Sequence, residues 1–219
     1  MNAPRFFDCF QLCALACLVG LGVARAAVLY VRGVHVVAID WQRSLWEQLA
    51  DALAIVVILS WAYEAVAYSW PLRGHILPAW LAPIVVDSTV VKILGMMAAC
   101  AGLLIFALAL WAFADSWRIG IDRNTAGALV TRGIFAWTRN PIYIALDLIA
   151  FGTFLLQGRA IFLVLTLALA GLLHYQIVRE ERYLAGAYGD AYRAYCAGVG
   201  RYLPKIDTSA ARATPSGRG

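Results

Sequence analysis

The sequence predicts an all-α, polytopic integral membrane protein of about five transmembrane helices with a C-terminal amphipathic cytoplasmic helix. Apolar residues make up 63% of the 219 residues and charged residues only 14%. A soluble domain carries about half and about a quarter, respectively. The mean hydropathy is +0.73, and the apolar residues gather into runs of membrane-crossing length separated by short charged segments.

The first run extends from about Phe7 to Tyr30. Its Ala24-Arg25-Ala26 has the form of a signal-peptidase site, yet the charge before it is weak because Asp8 offsets Arg5, so an uncleaved anchor is expected. Cys9, Cys13 and Cys17 recur along one face of this helix and Cys100 lies in the third run, where they read as small packing residues. Cys196 stands alone, and His35, His75 and His174 are scattered without ligand spacing, so no metal site is expected.

The second run extends from about Leu49 to Trp70 and the third from about Ile93 to Phe113. A fourth, from Pro141 to about Leu156, is shorter than the roughly 20 residues that cross a bilayer. Gln157-Gly158-Arg159 turns it into a fifth, from Ala160 to about Val178, and pairing within this hairpin would shelter the short helix.

Five crossings place Arg32, Arg43, Arg118, Arg123, Arg132, Arg139 and the basic C-terminal segment on one side. Arg5, Arg73, Lys92 and Arg159 fall on the other. The positive-inside rule then sets the N-terminus outside and the C-terminus in the cytoplasm, in the inner membrane if the source is bacterial. The net charge of +5 follows from this asymmetry and from anionic headgroups; no nucleic-acid motif is present.

Two charged signatures flank the hairpin on the cytoplasmic side. The first is Leu129-Val130-Thr131-Arg132-Gly133-Ile134-Phe135 followed by Arg139-Asn140-Pro141-Ile142-Tyr143. Proline suits the first position of a helix and excludes helical geometry from the residue before it, so Arg139, Asn140 and Tyr143 crowd a helix N-terminus. Free N–H groups and the helix dipole favour an anion there; the alternative is that Arg139 anchors the helix to headgroups. The second signature begins with Glu180 and Glu181, which point about 100° apart. One can meet a ligand while the other pairs with an arginine such as Arg139 or Arg182. Tyr188, Tyr192 and Tyr195 then fall at i, i+4 and i+7, the spacing of one helical face, with a break expected at Gly189-Asp190. Val199-Gly200-Arg201-Tyr202-Leu203-Pro204 closes the pattern.

In order and spacing, these pieces resemble the isoprenylcysteine carboxyl methyltransferase family and the related phospholipid methyltransferases, from about Asp115 to Pro204. The resemblance implies S-adenosylmethionine as methyl donor and a lipid or lipophilic acceptor, possibly the carboxylate of an isoprenylcysteine-like compound. It implies cofactor contacts at Arg139, Asn140, Pro141, Tyr143, Glu180, Glu181, Tyr195 and Arg201, and catalytic roles for Glu181, Arg139 and Arg193. Eukaryotic members commonly have histidine where this chain has Asn140, so a proton-transfer role at that position is not expected. Residues 1–114 are then three N-terminal spans, 115–206 a methyltransferase-like core, and 207–219 a disordered tail.

No glycine-rich strand–helix fingerprint supports a soluble nucleotide-binding fold. Membrane sterol reductases, which use a nicotinamide cofactor, have a similar C-terminal region, but they usually carry an acid soon after the tyrosine. Here Ile144, Ala145 and Leu146 intervene before Asp147. A non-catalytic scaffold or transporter would instead use Asp51, Glu64 and Asp147 as intramembrane polar sites.

Overall fold

The computed structural model describes residues 3–32, 44–70, 72, 74–113 and 129–205. The expected tail, the start of the core at Asp115, and His35, Arg43, Arg73, Arg118 and Arg123 lie outside the described residues. Among the described residues, five α-helices carry the fold: α1 (Ala3–Val31), α2 (Leu45–Ser69), α3 (Thr89–Ala112), α4 (Pro141–Gln157) and α5 (Ala160–Gly198). Four are long and apolar enough to cross a membrane, and α4 is a shorter apolar helix of 17 residues. This is an integral membrane protein.

Capping chemistry sets several boundaries. Helix α2 starts before Leu49 because Ser44 and Glu47 form a capping box: the Glu47 amide donates to Ser44 Oγ at 3.3 Å and the Ser44 amide to Glu47 Oε2 at 3.1 Å. Helix α4 begins with Pro141 at its first turn and ends on Gly158 in the left-handed conformation. The α4–α5 turn is therefore the Gln157-Gly158-Arg159 segment that the sequence predicts. The Val85 amide donates to the Gly158 carbonyl at 2.7 Å and holds the turn against the segment before α3.

Helices α3 and α4 approach closely along a seam of small residues. A Cβ on Gly152 would stand 2.7 Å from the Gly95 carbonyl oxygen, and one on Gly102 would stand 2.8 Å from that of Ala145. Lipid tails are as apolar as the helix surfaces, so close backbone packing rather than hydrophobic exclusion joins such helices. Polar side chains add links. Gln11 of α1 donates to Thr153 Oγ1 of α4 at 3.1 Å, and Thr166 of α5 donates to the Ala150 carbonyl at 3.1 Å.

The intramembrane acids of α2 have polar partners. Glu64, wholly buried, accepts the Ile76 and Leu77 amides at 2.7 and 3.0 Å and lies 2.8 Å from His75 Nδ1. It pins its own following loop rather than another helix. Asp51 accepts Arg179 Nη2 of α5 at 2.8 Å, an interhelical ion pair.

Helix α5 outruns its membrane crossing. Past residues 160–178 it continues as a charged helix to a kink at Gly189 (φ 53°, ψ −122°) and then through 190–198. The break expected at Gly189-Asp190 falls at that kink, and a further helical segment follows it through 190–198. The break also shortens the expected tyrosine stripe, because one face continues only along an uninterrupted helix: Tyr188 lies before the kink, while Tyr192 and Tyr195 beyond it keep their rings 6.2 Å apart. Tyr192 is buried, whereas Tyr188 is only partly covered.

Gly152→Val should cost about 1–3 kcal/mol by overpacking against backbone and lower the thermal midpoint of the detergent-purified protein by several degrees. Gly171→Val, where nothing stands within 4 Å of the added Cβ, should leave the midpoint unchanged.

Candidate active site

The site begins where the chain enters α4. Asn140 precedes Pro141 and takes a non-helical conformation (φ −128°, ψ 52°), so residues 138–140 lie outside the helix and are free to pair sideways. They pair with the chain leaving α5. Thr138 and Gly200 form a parallel bridge, and the Arg139 amide donates to the Gly200 carbonyl at 3.0 Å. Thr138 Oγ1 and Asn140 Nδ2 both donate to the Arg201 carbonyl, at 3.0 and 3.2 Å. Tyr195 donates to the Phe135 carbonyl at 2.6 Å. Burial pushes its phenol up to about 12, which keeps it a donor.

Glu181 lies under this clamp, in the charged part of α5 beyond the apolar crossing. Arg139 Nη2 approaches its Oε1 to 2.9 Å, and Asn140 Nδ2 donates to the same oxygen at 3.3 Å. Arg201 donates to Oε2 from Nε at 3.0 Å and from Nη2 at 2.7 Å. Burial alone would raise the Glu181 pKa. The Arg201 hydrogen bond and the charges of Arg139 and Arg201 outweigh burial and hold the carboxyl below its usual range.

Glu180 points elsewhere and accepts the Tyr143 hydroxyl at 2.8 Å. Burial raises the Glu180 carboxyl, opposed by that hydrogen bond. Adjacent acids therefore have different surroundings, as their angular separation on the helix requires.

Of the sequence-predicted residues, Arg139, Asn140, Glu181 and Arg201 meet directly. Pro141 and Tyr143 lie in the first turn of α4, and Tyr195 braces the preceding 3-10 turn (Gly133–Ala136). Arg193 does not join them: its side chain is 68% exposed and pairs with Asp190 one turn back. The kink at Gly189 turns that face of the terminal segment outward. Arg182 is exposed, and Arg201 is the second arginine on Glu181.

An apolar groove of about 990 Å³ borders the cluster. Ile105, Leu108 and Trp111 of α3 form one wall, Trp137, Thr138 and Ile144 another, and Tyr202 and Leu203 the rim. Thr138 belongs to both groove and clamp. Sequence reasoning missed the contribution of α3 because its residues differ little in character from any lipid-facing helix. Tyr202 belonged to the closing motif and Thr138 stood next to Arg139, but their roles depend on the pairing of 138–140 with 200–201.

The phospholipid methyltransferase family matches residues 90–191, which takes in α3 as well as the hairpin. A protein-S-isoprenylcysteine O-methyltransferase of Schizosaccharomyces pombe (strain 972 / ATCC 24843) is 35% identical over 89 residues, 40% of this chain and 38% of that relative. The chain thus spans well under half of the relative's length.

Because the Glu181 pKa is depressed by folding, its stabilisation is present above the unfolded-state value and is lost as pH falls through the folded one. The thermal midpoint should therefore decline as pH drops below roughly 4. Glu181→Gln should lower the midpoint at neutral pH and flatten this acid limb.

Proposed function

From a chain related to the phospholipid and isoprenylcysteine methyltransferase-like proteins, we propose a membrane methyltransferase that uses S-adenosylmethionine to methylate a lipophilic, membrane-embedded acceptor. One observation supports this reading above the others: a charged cluster with an excess of guanidinium charge adjoins a large apolar groove, and Thr138 belongs to both. A polar donor and an apolar acceptor need such neighbours.

The residues fit the donor. Arg139 Nε is buried without a hydrogen-bond partner, a free donor suited to a ligand carboxylate or hydroxyl. Arg139, Asn140 and Arg201 would hold the polar end of S-adenosylmethionine. Pro141, Tyr143, Glu180 and Tyr195 would shape and stiffen the surrounding wall. Bound there, the cofactor supplies an electrophilic methyl group on a cationic sulfur.

Glu181 fixes both guanidiniums, so its work is orientation as much as contact. The groove walls Ile105, Leu108 and Trp111 would seat an apolar chain and exclude water beside the cluster. Positioning of this kind converts a bimolecular encounter into an effectively intramolecular one. The same reading places α3 with the 115–206 core and gives α1 and α2 a supporting role. With Arg132, Arg139, Arg201 and Lys205 at the site end, it sets this end in the cytoplasm and the N-terminus outside.

Purified protein in mild detergent should bind S-adenosylmethionine saturably and NADPH not at all. Arg139→Ala should weaken donor binding by about tenfold or more, about 1.4 kcal/mol, while Arg193→Ala should leave it unchanged. Binding of NADPH alone would move the protein to the reductase class, and binding of neither by folded protein would favour a scaffold. In a coupled assay, Glu181→Gln should reduce turnover on the order of 100-fold through misplacement of the arginines; near-normal turnover would remove Glu181 from the site.

A further inference from the structure

The segment between α2 and α3 is apolar where a solvated loop would be polar. From Gly74 to Val86 it contains no Asp, Glu, Lys or Arg. An apolar run of this length, too short to cross a bilayer, suits a re-entrant or interfacial segment. It lies at the end of the molecule opposite the candidate site and ahead of the matched residues 90–191. Its side chains sort to two faces. Leu77, Leu81 and Val86 pack against the core that α2, α4 and α5 share. Trp80 is 75% exposed, and Ile76, Ile84 and Val85 are more than half exposed.

Hydrogen bonds draw this loop back from the helix ends. Glu64 lies five residues before the end of α2 at Ser69, roughly 7 Å along the axis. The Ile76 and Leu77 amides both donate to its Oε1, so the chain leaving α2 turns back beside that helix. Further on, the Val85 and Val86 amides donate to the Gly158 carbonyl at 2.7 and 3.1 Å, and the Ala160 amide donates to the Pro83 carbonyl at 3.0 Å. Gly158 closes an α4 of 17 residues, about 25 Å long against a hydrocarbon layer of about 30 Å. The first anchor thus lies within the span of α2, and the second lies at the end of a helix too short to cross the layer.

Backbone at membrane depth must find its partners within the protein. Pro78 and Pro83 have no N–H, the Leu81 and Ala82 amides donate to the Pro78 and Ala79 carbonyls at 3.0 Å each, and Tyr63 donates to the Gly74 carbonyl at 2.9 Å. The Arg159 guanidinium is withdrawn from lipid in the same way: it lies 4.4 Å from the Tyr68 ring centroid and donates to the Ala82 carbonyl at 2.7 Å. A wholly buried carboxylate is expensive in a membrane helix, and Glu64 is spent on two loop amides.

We propose that residues 74–86 form a re-entrant loop seated among the acyl chains of the leaflet opposite the candidate site, with Glu64 as the residue that holds it there. Its exposed row continues into Val90 and Leu94 at the start of α3, which are 66% and 51% exposed on a membrane-crossing helix. The loop fills the depth that the short α4 leaves uncovered, so the α4–α5 turn is met by protein. This holds whether or not the protein transfers methyl groups.

The test is fluorescence quenching of the full protein in phosphatidylcholine nanodiscs, with lipids brominated on their acyl chains as one quencher and aqueous iodide as the other. The difference between wild type and Trp80→Phe isolates the Trp80 emission from that of the other tryptophans. Acyl-chain bromine should remove most of that difference, and iodide should leave it intact. Quenching by iodide instead would put the loop in water, and protection from both quenchers would mean that another chain covers it; either result overturns the assignment. Glu64→Ala should open Trp80 to iodide, whereas Glu64→Gln, which keeps an oxygen for the two amides, should behave as wild type. Unchanged bromine quenching in folded Glu64→Ala would remove Glu64 as the anchor. Hydrogen exchange at the Ile76 and Leu77 amides of wild type, which needs no variant to fold, should be slow; rapid exchange would overturn the anchoring as well.

Discussion

The Glu181 carboxylate is the point through which separate parts of the chain are tied together. Arg139 and Asn140 come from the approach to α4, Glu181 from α5, and Arg201 from beyond α5. Without the carboxylate, two guanidiniums would face each other in a partly desolvated space, and the 138–140 segment would lose the charge that draws it towards 200–201. Removing one partner of such a buried arrangement costs more than the pair contributes, because the remaining charge is stranded. The cluster is therefore an organiser before it is a ligand site.

The kink at Gly189 makes that arrangement possible. A continuous helix from Ala160 onwards would carry Arg201 along the α5 axis, away from α4. A positive φ at residue 189, which glycine adopts without steric penalty, redirects the terminal segment. Tyr195 and the Thr138–Gly200 bridge then hold it beside the start of α4. Lys205 caps the returning segment by donating to the Cys196 and Ala197 carbonyls at 2.7 and 2.8 Å. Local backbone freedom, side-chain hydrogen bonding and ion pairing act in sequence, each depending on the one before.

This hierarchy explains what could be read from the chain. The hairpin was legible because Pro141 and Gly158 mark their own boundaries, and the meeting of the two signatures followed from counting crossings. The break at Gly189 was legible as a glycine followed by an aspartate. What it does to rotation was not: no local signal tells how far a kink turns the next residues. Hence Arg193 fell outside the cluster, and Tyr188 is parted from Tyr192 and Tyr195, whose rings stay 6.2 Å apart beyond the kink. The groove was hidden for another reason. In a membrane protein nearly every helix surface is apolar, so residues lining a binding groove and residues facing lipid look alike. Asp51 and Glu64 were visible as polar exceptions, but their partners, Arg179 and the 76–77 amides, belong to distant or irregular segments.

The charge balance of the cluster bears on how methyl transfer would be accelerated. Two guanidiniums against one carboxylate leave a site better matched to an anion than to a cation. Glu181 is already engaged on both oxygens, and Glu180 accepts from Tyr143. Neither is a free carboxylate that would grip a sulfonium. A strong ion pair with the sulfonium would stabilise the ground state, because the positive charge disperses as the methyl leaves, and interactions lost on the way to the transition state slow the reaction. Holding the donor by its anionic end and leaving the sulfonium to a less charged wall avoids that penalty. On the proposed reading the arrangement would favour catalysis by placement: the arginines would locate the donor, the groove the acceptor, and the clamp between residues 138–140 and 200–201 would set the distance between them.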